Sequence, residues 1–162
     1  MTIHELVLAI AKEIAPQYGI DIRVDPRKVT WDGGRGIDGT AVAGAFLMPG
    51  NAYTDGPTIV MYSSGVEKAI EEGERARPGF SSDPNKIVRL IRRLIKHECR
   101  HFLQWSWLVV NGCAQLWPYL VQIPKYGADP LEHDANLYAV DKATTNLDEV
   151  MSAAIRNMLV TR

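Results

Sequence analysis

The chain has 162 residues, enough for one sizeable core and too few for two independent ones, so a single domain spanning 1–162 is expected. Apolar residues make up 46% and charged residues 23%, with a formal net charge of -1; this is the balance of an ordinary soluble globular protein, with no global field to attract nucleic acid or an anionic membrane. Two cysteines, Cys99 and Cys113, make no disulfide framework, residues 1–18 lack the apolar core of a signal peptide, and no apolar run reaches the roughly 18 residues of a membrane span, so a cytoplasmic protein is expected.

Ile3, Leu6, Val7, Ile10 and Ile14 repeat at helical spacing, and Pro16 with Gly19 closes that segment, which predicts an amphipathic first helix. Ile20, Ile22 and Val24 then alternate with Asp21, Arg23 and Asp25, a half-buried strand ended by Pro26. Residues 29–39 read as a loop or hairpin. Within them Gly34-Arg35-Gly36-Ile37-Asp38-Gly39 has the letters of a dinucleotide fingerprint, but no strand-to-helix setting surrounds it, so a glycine-rich turn is the better reading. A second strand is expected over Thr40 to Met48, a turn over Asn51 to Pro57, and a third strand over Thr58 to Tyr62 that ends at Ser63-Ser64-Gly65.

Strands linked by turns suggest a small three-stranded sheet with an antiparallel part. Val66 to Gly73 offers one or two helical turns, and Glu74 to Asn85 reads as an exposed linker. Ser82, Asp83, Pro84 and Asn85 then supply an N-cap and first turn for a long helix that no Gly or Pro interrupts before Gly112. Leu90, Leu94, Phe102 and Trp105 recur at helical steps along it, while the basic residues between Arg89 and Arg100 read as a solvated face. Beyond it Pro118, Pro124, Gly127 and Pro130 punctuate a stretch with no clear assignment. Asp129 and Pro130 open a helix expected to run to near Asn146, and Leu147 to Leu159 forms a last amphipathic helix.

The long helix carries His97-Glu98-Cys99-Arg100-His101, a complete His-Glu-x-x-His motif. Two His four positions apart lie one turn above each other on one helix face, close enough to share a metal ion, and the Glu beside the first can reach a metal-activated water. Cys99 points about 200° away from His97, off the metal face. Arg100 reads as a solvated arginine, with a substrate carboxylate as its other use. A catalytic zinc ion takes three protein ligands, so one more His, Asp or Glu is required. The helix after Pro130 offers Glu132, His133 and Asp134 together.

With Glu132-His133-Asp134-Ala135-Asn136 following the motif, the chain resembles the gluzincin metallopeptidases, and most of all the minigluzincins and similar compact phage or bacterial zinc peptidases. The residue-level likeness is confined to 97–101 and 132–136. It implies an α+β fold of the minimal zincin kind: an N-terminal helix, a three-stranded and partly antiparallel sheet, the motif helix, a glutamate helix and a C-terminal helix. It makes Glu132 the third ligand of one zinc ion, Glu98 the general base, and a protein or peptide the substrate; the strand at Thr58 to Tyr62 would be an edge that pairs with extended substrate. Where that family has an Asp to accept a hydrogen bond from a ligand His, this chain has Asn136, which can accept the bond without the charge. Tyr126, His133 and Tyr138 are the candidate oxyanion donors, and Glu132 also fits a capping box with Asp129. The alternative, from another class, is a zinc-binding chain of weak or no catalytic power that acts by binding a partner protein, of the phage or mobile-element type. Oligomeric state is not legible in the sequence.

Overall fold

A capping box starts the chain: the Thr2 hydroxyl accepts from the Glu5 backbone N–H at 3.1 Å and the Glu5 carboxylate accepts from the Thr2 backbone N–H at 2.8 Å. Helix α1 (Ile3–Tyr18) follows and closes on Gly19, whose φ of 65° is the left-handed geometry of a helix C-cap. The computed structural model describes residues 1–26, 43–47, 58–122, 130–143 and 146–160. The glycine-rich stretch at 34–39, the turn at 51–57, Tyr126 and Asp129 lie outside the described residues.

Strands β1 (Asp21–Asp25), β2 (Ala43–Leu47) and β3 (Thr58–Tyr62) have the order β1-β3-β2. β1 and β3 run parallel in unbroken register from Asp21 opposite Thr58 to Asp25 opposite Tyr62. β2 lies antiparallel on the other side of β3, with its register shifted between Ala43 and Phe46. β3 is therefore a central strand, which corrects the expectation of a substrate-pairing edge there: its backbone donors and acceptors are taken on both sides.

Helix α2 (Ser63–Ala76) leaves β3 directly. Ser63-Ser64-Gly65 begins this helix instead of forming a turn, and its end takes in three residues of the expected linker. The chain after it is held down by Glu74, whose carboxylate accepts from the backbone N–H of Ser81 at 2.8 Å and of Gly79 at 2.9 Å.

Helix α3 (Pro84–Val110) is the longest element, with 27 residues. Asp83 caps it by accepting from the backbone N–H of Asn85 at 3.0 Å, and Pro84 occupies the first position, where a missing N–H costs nothing. It ends at Gly112 (φ 71°), with Cys113 N–H returned to the Leu108 carbonyl. A 3-10 turn, Ala114–Leu116, leads into helix α4 (Trp117–Gln122). Helix α5 (Pro130–Ala139) stops well before the expected end near Asn146, because Asp141 takes a positive φ and Lys142 N–H bonds back to the Leu137 carbonyl. Helix α6 (Leu147–Val160) begins under the Asn146 side chain, which accepts from Glu149 N–H.

Two compact units divide the chain, 1–98 and 99–162, the division falling inside α3. In the first, Val7, Ile10, Ala11 and Ile14 of α1 are buried together with Ile22, Ile59 and Met61 of the strands and Val66 and Ile70 of α2. In the second, α5 and α6 pack together, burying Leu131, Ala135 and Ala139 with Val150, Met151, Ala154 and Met158, and α4 contributes Trp117 and Leu120. Each large apolar side chain so buried is worth about 1.5–3 kcal/mol relative to exposure.

Helices hold most of the described residues, and the one unbroken ladder is the parallel pair β1–β3. The class is therefore α-rich, which corrects the expected α+β fold: the sheet is a minor part of it, three short strands of which only the parallel pair β1–β3 keeps an unbroken register. The reason is local: segments with the composition of turns and linkers are helical, and the strands flanking the long connection at 26–57 pair in parallel. No helix among the described residues is long and apolar enough to cross a membrane.

Candidate metal centre

Along α3 the fully buried apolar row is Ile91, Ile95 and Cys99, followed by Leu108. Leu90, Leu94, Phe102 and Trp105, which recur at helical steps with the two His, are only partly covered. The burial of Cys99 fits its direction away from the two His. His97 and His101 lie one turn apart on a partly exposed face, with side chains 18% and 12% exposed.

Glu132 sits in the first turn of α5, and its Oε1 is 2.9 Å from His101 Nε2. One ligand atom from each of His97, His101 and Glu132 lies within 4.8 Å of the other two, the one such group of three found among the described residues. Zinc bonds of about 2.0–2.1 Å put tetrahedral ligand atoms about 3.3 Å apart, so two imidazoles and a carboxylate at this spacing suit the ion after small side-chain adjustments. The Glu98 carboxylate, 13% exposed, comes within 3.9 Å of His97 Nε2 and thus stands at the edge of the same group.

No family model, curated protein or solved structure matches this chain. Its likeness to gluzincins therefore rests on the motif residues alone, and the chemistry has to be read from the side chains around them.

Behind His101 the surroundings are polar and closed. Its Nδ1 is 2.8 Å from Gln104 Oε1. Gln104 is completely buried, and its Nε2 donates to the Leu131 carbonyl and to Asp134 Oδ2, both at 3.0 Å. Asp134 is 3% exposed and takes a two-pronged pair from Arg100, Nε to Oδ2 at 2.6 Å and Nη2 to Oδ1 at 3.1 Å. The Arg100 guanidinium also lies 5.0 Å over the Tyr138 ring.

These contacts revise several expectations. Arg100 is not a solvated residue of a basic face; it is 7% exposed and bonded to a carboxylate 34 positions away. Asp134, a reserve ligand by sequence, has both oxygens occupied by Arg100 and Gln104. Asn136 and His133 are exposed on α5, and Tyr138 is half-buried beside Arg100. Gln104 went unnoticed in the sequence, although a lone amide in the apolar run Phe102-Leu103-Gln104-Trp105, three residues after the second His, was a usable signal.

Proposed function

We propose that the chain is a zinc-dependent peptidase in which His97, His101 and Glu132 hold one ion and Glu98 is the general base. The observation that carries this reading is the convergence of those three ligand atoms within 4.8 Å beside a Glu that a purely structural site would not need. Bound there, zinc would supply an acidified water and a polarised substrate carbonyl. Glu98, partly buried at the rim, takes the proton from the attacking water at its carboxylate and delivers it to the leaving amine. Glu132 lies in the first turn of α5, which brings its carboxylate to His101.

Glu98→Gln tests the reading, because it preserves shape and removes the base. With zinc content unchanged, cleavage of a mixed peptide library should fall by about 10²–10⁴-fold. Undiminished cleavage in a zinc-loaded Glu98→Gln protein would make the general-base assignment wrong. A zinc-loaded wild-type chain that cleaves nothing and retains its biological effect in the variant would instead support action through a partner protein.

A further inference from the structure

We propose that Gln104 is a positioning residue for the metal site: it fixes His101 with hydrogen on Nδ1 and turns the Nε2 lone pair to the ion. The inference rests on the metal reading above and concerns how that site is held in register.

Which nitrogen of His101 carries hydrogen follows from which end of the Gln104 amide faces it. That is settled on the far side of the amide. Gln104 Nε2 is 3.0 Å from the Leu131 carbonyl oxygen and 3.0 Å from Asp134 Oδ2. Neither group has a hydrogen to give: one is a backbone carbonyl and the other a carboxylate paired with a guanidinium. Both amide hydrogens are therefore committed, and Oε1 is the atom left against His101 Nδ1 at 2.8 Å. Flipping the amide would set its oxygen against two acceptors and its NH₂ against the ring, losing two bonds to keep one. An acceptor at Nδ1 requires a donor there, so Nε2 is the nitrogen directed to Glu132, 2.9 Å away.

Burial makes this arrangement firm. Gln104 is 0% exposed, Asp134 3% and Arg100 7%, so water has little access to the four hydrogen bonds that run from Arg100 through Asp134 and Gln104 to His101. The same amide joins the two helices that supply ligands. Leu131 immediately precedes Glu132 and Asp134 follows it by two, so the Gln104 bonds seat the very turn of α5 that presents the third ligand. Because the group touching the imidazole is a neutral amide, with the carboxylate one bond further out, it orients the ring while polarising it less than a direct carboxylate would.

The test uses the full-length chain. Long-range ¹H–¹⁵N correlation spectra of the metal-free and zinc-loaded wild type should both show His101 with hydrogen on Nδ1, and coordination through Nε2 on loading. Gln104→Met, of similar volume but without the amide, should bind zinc about 10–100-fold more weakly in competition with a chelating dye. A bare Nδ1 in the metal-free protein, or coordination through Nδ1, overturns the assignment even if Gln104→Met fails to fold. So does a folded Gln104→Met protein whose zinc affinity stays within about twofold of wild type. A chain that binds zinc through Nε2 and cleaves no peptide sinks the peptidase reading and leaves this one standing.

Discussion

Removing Asp134 should expose how much the buried charge pair is asked to carry. In Asp134→Ala the Arg100 guanidinium, 7% exposed, loses two hydrogen bonds, and the Gln104 amide loses one of its two acceptors. Stranding one partner of a buried ion pair costs about 3–5 kcal/mol. The Tyr138 ring, 5.0 Å from the guanidinium, still offers a cation–π contact, which places the expected loss near the lower end, about 3 kcal/mol. With a urea dependence of about 2 kcal/mol per molar, the midpoint should fall by about 1.5 M. Tryptophan emission suits the measurement, because Trp105, Trp107 and Trp117 all belong to the unit that contains the pair. The double variant Arg100→Met/Asp134→Leu removes both charges and should recover most of the loss, since apolar replacement of a buried pair is often neutral or stabilising. A midpoint shift below about 0.5 M for Asp134→Ala, or a double variant no more stable than the single one, would refute the reasoning.

Two further outcomes concern the first unit. A Cβ at Gly73 would lie 2.8 Å from Cδ1 and Cε1 of Phe80, so Gly73→Ala should lose about 1 kcal/mol net, overpacking outweighing the gain of about 1 kcal/mol in helix propensity; a variant stabilised in far-UV circular dichroism melts would contradict this. The Glu74 carboxyl is held below its ordinary value of 4.5, chiefly by the Ser81 backbone N–H and then by that of Gly79. A carboxyl depressed on folding contributes stability that is complete above its unfolded pKa and is lost as pH falls through the folded one. The advantage of wild type over Glu74→Gln in melting temperature should therefore hold at pH 6 and shrink below about pH 4.5. A gap that stays constant from pH 6 to pH 3 would exclude this origin.

The helices were legible where local chemistry speaks twice, once in periodicity and once in a cap. For α3 the periodic run sits between Asp83-Pro84 and Gly112, and both ends are where those residues place them. α2 was only half legible, because Ser63-Ser64-Gly65 and Gly73 have the composition of turns while Gly73 serves to admit the Phe80 ring. The parallel pairing of β1 with β3 was hidden, since partner choice across a long connection leaves no mark on either strand. At the site, His97, Glu98 and His101 were readable from spacing within one helix, and Glu132 only from a resemblance. Arg100 was misread and Gln104 passed over for one shared reason: their partners lie on α5, roughly thirty positions away, and a buried charge or amide looks solvated until its partner is known.

The two unspecified positions of the His-Glu-x-x-His motif are both inside the protein, Cys99 with none of its surface exposed and Arg100 with 7%. A deep mutational scan across 97–101 should then find five intolerant columns where the motif's shorthand suggests three. Three would reject substitution for reasons of chemistry. Position 99 would admit only side chains of small volume, and position 100 would reject even lysine, which lacks the forked donor that grips Asp134. Grafting this helix into another scaffold would accordingly mean bringing α5 with it.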